Sequence, residues 1–184
     1  FHNLYIISQT KKGILLIDQH AAHERILYEQ FLDDYQKLQN KKEIHVLSKP
    51  LLLEFSPDEK VALEEHIISL ENLGFKFDKV KNDLYLTAVP TVFRDRDLQS
   101  ILSETLDDLI QSNIFKKVDL KTDKMLSYLA CRSAIKAGEK LSTLEMENLL
   151  KKLSETRTQY TCPHGRPAQV ELSLDELHRL FHRK

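Results

Sequence analysis

The sequence predicts an α+β fold in which a middle segment is inserted between a first and a last segment. Short apolar runs alternate with longer stretches of helical periodicity, in the order ββα, βαββα, αα, βα. Three Ser-x-x-Glu boxes, starting at Ser56, Ser142 and Ser173, mark helix beginnings. No internal repeat and no low-complexity stretch competes with this reading.

Phe1 to Ser8 and Ile14 to Ile17 read as two strands around Gln9-Thr10-Lys11-Lys12-Gly13, where the glycine can supply a positive φ. After Asp18 the pattern turns helical, with Ile26, Leu27, Phe31 and Tyr35 near helical spacing up to Leu38. The polar stretch Gln39 to Glu43 reads as a linker, and Leu51 to Phe55 as a short strand. Ser56-Pro57-Asp58-Glu59 opens a helix as N-cap, N1 proline and capping-box glutamate, with Val61, Leu63, Ile67, Ile68 and Leu70 as its buried face and Gly74 as its stop. Phe75 to Phe77 and Leu84 to Val89 are strands around Lys81-Asn82-Asp83, the second stopped by Pro90. Helices follow at Leu98 to Ile110, with Ile101, Leu102, Leu106 and Leu109 inward, and at Lys121 to Ala137, stopped by Gly138. A helix from Ser142 to Ser154, a Pro- and Gly-containing loop from Tyr160 to Pro167, a strand at Gln169 to Leu172 and a helix from Ser173 through Phe181 complete the chain.

Composition excludes several classes. The 184 residues carry 41% hydrophobic and 30% charged side chains, which is enough apolar material for a packed core. Lys+Arg total 27 against 28 Asp+Glu, so any nucleic-acid contact must be a local patch rather than a basic wrap. No apolar run approaches the ~20 residues a membrane-spanning helix needs. Two cysteines do not make a disulfide scaffold and fit a reducing compartment. The 4 glycines leave no room for a Gly-rich phosphate loop. The chain begins at Phe1, directly in an apolar run, and is expected to be a piece of a longer polypeptide.

Metal-ligand side chains concentrate in three stretches. In Asp18-Gln19-His20-Ala21-Ala22-His23-Glu24-Arg25, Asp18 can cap the helix, and His20 and Glu24 stack four residues apart on one face. Ala21 and Ala22 leave room for another element, and His23 is expected to face elsewhere. The second stretch is Ala130-Cys131-Arg132, inside a helix. The third is Cys162-Pro163-His164-Gly165-Arg166-Pro167, a proline-stiffened loop in which Cys162 and His164 can turn toward one ion. Thiolates with imidazole and carboxylate favour Zn²⁺, whereas Asp18, His20 and Glu24 equally suit Mn²⁺ or Mg²⁺. Asp18, His20, Glu24, Cys131, Cys162 and His164 exceed one tetrahedral shell, and two adjacent ions suit in-line attack on a phosphodiester. Arg132 and Arg166 adjoin these donors and can neutralise or orient a phosphate; the alternative for each is a salt bridge to Glu24 or Glu29.

These stretches resemble the motifs of the MutL-type DNA mismatch-repair endonucleases. Asp18 to Glu29 is similar to the family's D-Q-H-A-x-x-E-x-x-x-x-E signature, Ala130-Cys131-Arg132 to its A-C-R motif, Cys162 to Pro167 to its C-P-H-G-R-P motif, and Phe181-His182-Arg183 to its F-x-R motif. The resemblance covers the family's C-terminal domain. It implies a latent endonuclease that nicks one strand of duplex DNA, with Asp18, His20 and Glu24 catalytic and all six donors at the metal site. It further implies zinc as a structural or regulatory ion and manganese (or Mg²⁺) for nicking. A dimerisation subdomain would be built from residues 1–44 and 121–184, with an outer subdomain inserted at 45–120. Homodimerisation, duplex DNA, the sliding clamp and MutS are the implied partners, and a bacterial-type cytoplasmic setting the implied location.

Family members also carry a clamp-binding peptide of the form Q-x-x-x-x-P after the first helix. The matching stretch here is His45-Val46-Leu47-Ser48-Lys49-Pro50, in which His45 replaces the glutamine, Val46 and Leu47 keep apolar side chains, and Pro50 closes the motif. The competing reading from another class is a zinc-stabilised, non-catalytic module for dimerisation and partner binding. A zinc deaminase fits badly, because its H-x-E with P-C-x-x-C pairing is absent.

Overall fold

Residues 1–38, 44–111 and 122–183 are described in a computed structural model. The expected linker Gln39 to Glu43 and the expected boundary at 120/121 lie outside the described residues. The α+β class holds. The described residues form strands β1 (Tyr5–Gln9), β2 (Gly13–Asp18), β3 (Ile44–Leu53), β4 (Lys76–Val80), β5 (Asp83–Pro90) and β6 (Gln169–Ser173). The helices are α1 (Gln19–Leu38), α2 (Pro57–Asn72), α3 (Leu98–Gln111), α4 (Thr122–Ser133), α5 (Thr143–Ser154) and α6 (Leu174–Leu180). The chain divides into two compact units, one of residues 1–29 and 134–184, the other of residues 30–133.

In the first unit the strands pair antiparallel in the order β1-β2-β6. The rows Ile6–Ile17–Gln169 and Ile7–Leu16–Val170 point to opposite faces. Ile6, Leu15 and Ile17 join Ala22 and Ile26 of α1 and Leu149 and Leu153 of α5 in the core. The other face carries Tyr5, Ile7, Ile14, Leu16, Val170 and Leu172, of which Tyr5, Ile7 and Val170 are exposed. The hairpin glycine acts differently from expectation. Gly13 has no positive φ; a Cβ there would lie 2.0 Å from the Leu172 carbonyl oxygen, so the residue permits close approach of β6. The Thr10 hydroxyl closes the turn, accepting from the Lys12 and Gly13 N–H groups at 3.1 Å each.

In the second unit the sheet order is β3-β5-β4. Phe93 packs on Phe31 and Phe75 with ring centroids 4.7 and 5.2 Å apart. Leu70, Leu86, Leu102, Leu106, Leu109, Met125 and Leu129 are buried here as well. The α2 capping box forms as read, and the helix ends in a Schellman motif with Gly74 at φ 100. Phe75 N–H bonds Leu70 O, and Gly74 N–H bonds Glu71 O. The buried face of α2 is Glu59, Ala62, Leu63, His66 and Leu70, while Val61 and Ile68 are exposed. Apolar character alone misassigned those two positions; the 3.6-residue period selects the polar Glu59 and His66 instead.

Two boundaries also differ. β3 runs from Ile44, with the pairing slipping between Val46 and Leu51, so Ser48-Lys49-Pro50 interrupts the alternation without ending the strand. α4 ends at Ser133 rather than near Ala137, because imidazoles take the backbone groups of Ile135: its N–H donates to His23 Nδ1 at 2.9 Å, and its carbonyl lies 2.7 Å from His20 Nδ1.

Candidate metal centre

The site in the first unit starts where β2 becomes α1. Asp18 caps that helix: its Oδ1 accepts from the N–H groups of His20 and Ala21, at 2.9 Å each. Its Oδ2 has no hydrogen bond among the described residues. The cap sets the phase of α1, so that His20 and Glu24, one turn apart, share a side and Glu24 meets the Cys162–Pro167 loop.

Glu24 is the centre, with no accessible surface. Its Oε1 lies 3.2 Å from His20 Nε2 and 3.8 Å from His164 Nδ1, and its Oε2 accepts from Arg166 Nη2 at 2.7 Å. Donor atoms of Glu24, Cys162 and His164 all lie within 4.8 Å of one another. Tautomer logic sharpens the picture. The Ile135 carbonyl can only accept, so His20 Nδ1 carries the proton that bonds it. In the neutral ring Nε2 is then a lone pair facing a carboxylate oxygen, an arrangement that needs a cation between the two atoms: a proton or a metal ion. A carbonyl holding the far nitrogen is the usual outer partner of a metal-ligating histidine. The carboxylate, thiol and imidazole donors therefore fit a divalent metal ion.

The loop is shaped by its own backbone. Cys162 N–H bonds Arg166 O at 2.8 Å and Gly165 N–H bonds Cys162 O at 2.9 Å, with Gly165 at φ 83. Thr161 bridges Pro167, and Asp18 N–H bonds Ala168 O at 3.0 Å, so the loop base hangs from the strand end that caps α1. Ala21 packs against Cys162 and Ala168, the close approach its small side chain allows. Hydrogen bonding to the Cys162 sulfur, and then to Glu24, pushes the Arg166 guanidinium above its ordinary range, although its side chain is about half exposed. Of the two alternatives for Arg166, the ion pair with Glu24 is the one formed.

Other expected site residues lie in the second unit. Cys131 is half-buried on α4. Its neighbour Arg132 grips Asp108 through Nε (2.7 Å) and Nη2 and reaches Glu104 at 3.2 Å. The Asp108 hydrogen bond is the main cause of its raised pKa. Its carboxylate partners are thus Asp108 and Glu104. His45 to Pro50 sits on the edge strand β3, where Val46 is 67% exposed and Ser48 to Pro50 are exposed within the register slip. Phe181-His182-Arg183, in the first unit, follows α6, with Phe181 exposed and Arg183 N–H bonded to His178 O at 2.7 Å.

The family model described as the MutL C terminal dimerisation domain matches residues 1–141. The chain belongs to that family. It is similar to proteins named DNA mismatch repair protein MutL: 40% identical to that of Pelodictyon phaeoclathratiforme over the whole chain, 35% to that of Halothermothrix orenii and 36% to that of Listeria monocytogenes over 99% of it. It spans 28 to 30% of the length of these relatives.

Within this member of the MutL C-terminal family, four residues of the first motif do work that sequence reading left unassigned. Gln19 Nε2 donates to Asn3 O at 2.7 Å and Glu139 O at 2.8 Å. His23 holds Ile135 as described. Arg25 Nε donates to Thr161 O at 2.7 Å. Glu29 accepts from Arg157 N–H at 2.7 Å and Thr158 N–H at 3.1 Å. The available signal was positional: Gln19/His23 and Arg25/Glu29 are polar pairs at helical spacing flanking buried positions. Their partners are backbone groups, which side-chain patterns do not reveal.

Proposed function

We propose that this chain is the metal-dependent endonuclease and dimerisation domain of a MutL mismatch-repair protein, nicking one strand of duplex DNA. The observation that carries the reading is Glu24, a fully buried carboxylate with imidazole and thiol donors around it. Glu24, Cys162 Sγ and His164 would hold an ion, His20 Nε2 adds a donor beside Glu24 Oε1, and Cys131 belongs to the set by the sequence resemblance. The chemistry a divalent ion supplies in such a site is Lewis acidity, which polarises a phosphodiester and acidifies water. The chain's residues prepare for it. The Ile135 carbonyl keeps the His20 proton on Nδ1, so Nε2 presents its lone pair. Arg166 occupies Glu24 Oε2 and turns Oε1 toward the donors. Asp18 keeps Oδ2 available at the positive end of α1. Zn²⁺ is the resident ion in this reading, and Mn²⁺ or Mg²⁺ supports nicking.

The exposed apolar row of Ile7 and Val170 on the β1-β2-β6 sheet is the seat for a second copy, giving a homodimer. The slipped edge of β3 offers Val46 and Leu47 to a sliding clamp. With a net charge of -1, productive cutting needs the clamp, MutS or the rest of the polypeptide to raise local DNA concentration. No described helix is long and apolar enough to cross a membrane; a cytoplasmic setting belongs to the same proposal.

The test is a supercoiled-plasmid nicking assay with Mn²⁺ on the full-length protein. Glu24→Lys and Asp18→Asn abolish nicking and leave dimerisation intact; variants that nick like wild type refute the assigned site. One observation favours the non-catalytic reading: Arg132 and Arg166 both engage carboxylates, not open surface. Wild-type protein that binds zinc and dimerises but never nicks decides for it.

A further inference from the structure

We propose that Arg25 and Glu29 are positioning residues of the metal site, a brace through which α1 sets the seat of Cys162 and His164. The inference rests on the metal reading above and adds to it. The hydrogen bonds within the Cys162–Pro167 loop fix its shape; Arg166 ties its far side to Glu24 Oε2, and the rest of its placement comes from its two ends. One end of the placement comes from Ala168, held by Asp18 N–H. The other end comes from α1. Glu29 is buried, and both of its oxygens bond backbone N–H groups, Oε2 with Arg157 and Oε1 with Thr158. Arg25 bonds the Thr161 carbonyl immediately before Cys162, pairs with Glu29 at 3.8 Å and lies over the Tyr28 ring at 5.3 Å. The helix that presents Glu24 therefore also grips both ends of residues 157–161, the segment leading into the other donors. A buried carboxylate that uses both oxygens on the backbone is a scaffold group rather than a donor. Glu29→Gln keeps its shape but turns an amide N–H₂ against one of those N–H donors.

The experiment measures Zn²⁺ affinity of the 184-residue chain by chelator competition, with Co²⁺ absorption as a second readout. Glu29→Gln and Arg25→Gln weaken Zn²⁺ binding by about 10- to 100-fold, the usual cost of losing an outer-shell partner. They also lower the thiolate-to-Co²⁺ charge-transfer intensity per bound ion, while the metal-free protein keeps its circular dichroism and still unfolds cooperatively. A merely structural residue would lower metal-free melting but leave the Zn²⁺ affinity of the folded protein and the Co²⁺ band unchanged. Wild-type affinity and band in both variants overturn the brace. Loss of the metal-free fold in both overturns it too; if only one misfolds, the other decides. Glu24→Gln runs alongside: if it binds Zn²⁺ like wild type, the metal site itself fails, which is a different result.

Discussion

Replacing Glu24 by glutamine separates a metal donor from a merely buried ion pair. Breaking a buried pair costs about 3–5 kcal/mol when the remaining charge is trapped. Here the partner left behind is Arg166, whose side chain is about half exposed and returns to water, and the glutamine carbonyl can still accept from it. The metal-free cost should therefore be no more than about 1 kcal/mol, the worth of an ordinary hydrogen bond. With Zn²⁺ the balance changes. An ion at 100 times its dissociation constant adds about 2.7 kcal/mol to a protein that binds it only when folded. In a domain of this size 1 kcal/mol moves the melting temperature by about 2–4 °C. Wild type should thus gain about 5–10 °C. Removing a direct donor weakens binding by at least the ~100-fold upper range known for outer-shell losses. The same ion concentration then adds about 0.4 kcal/mol, or roughly 1–2 °C. Differential scanning fluorimetry of both proteins, with chelator and with Zn²⁺, reads all four values. A Glu24→Gln protein that keeps the full zinc shift, or that loses several kcal/mol without zinc, refutes the reasoning: the first outcome removes Glu24 from the site, the second makes it a structural charge.

Two further outcomes are expected. Ile7→Glu puts a charge on the exposed sheet face without touching the Ile6–Ile17 core; light scattering should then report monomers that keep the wild-type circular dichroism, and a persistent dimer would move the interface elsewhere. Burial holds the His66 imidazole below its ordinary pKa, against a smaller upward pull from Glu65. Its folded state therefore binds fewer protons than the unfolded chain, so the stability it contributes is present above about pH 6.5 and is lost as pH falls below that value. Urea midpoints of wild type should drop more steeply than those of His66→Gln between pH 7.5 and 5, and parallel slopes would contradict this.

Local signals were legible where one residue type does one job. All three Ser-x-x-Glu boxes form, with both reciprocal hydrogen bonds at Ser56, Ser142 and Ser173. The facing of His20 and Glu24 followed from helical spacing. Signals failed where a distant partner decides. Val61 and Ile68 look like core and are exposed, because the α2 face is set by what packs on it, including His66. Gly13 looks like a turn glycine and serves the approach of β6, which lies far along the chain. The end of α4 was invisible, because the groups that take over the Ile135 hydrogen bonds belong to histidines in the first motif. For Arg166 a phosphate, Glu24 and Glu29 all stayed open from sequence, since its reach depends on the loop's seat.

The density of the first motif has a physical explanation in these contacts. Along Asp18 to Glu29, successive side chains cap the helix, tie Asn3 and Glu139, offer a donor, make room for Cys162, fill the core, hold Ile135, offer the buried carboxylate and grip Thr161. Glu29 then anchors Arg157 and Thr158. A helix can do this because its sides face different neighbours: residues 20 and 24 share one side, and 25 and 29 another. The cap at one end fixes the helical phase for all of them. Rotating α1 by a fraction of a turn would therefore cost the donor geometry and the loop brace together. The motif's length is set by how far along the helix the loop must be held, which is why it extends past Glu24 to Glu29.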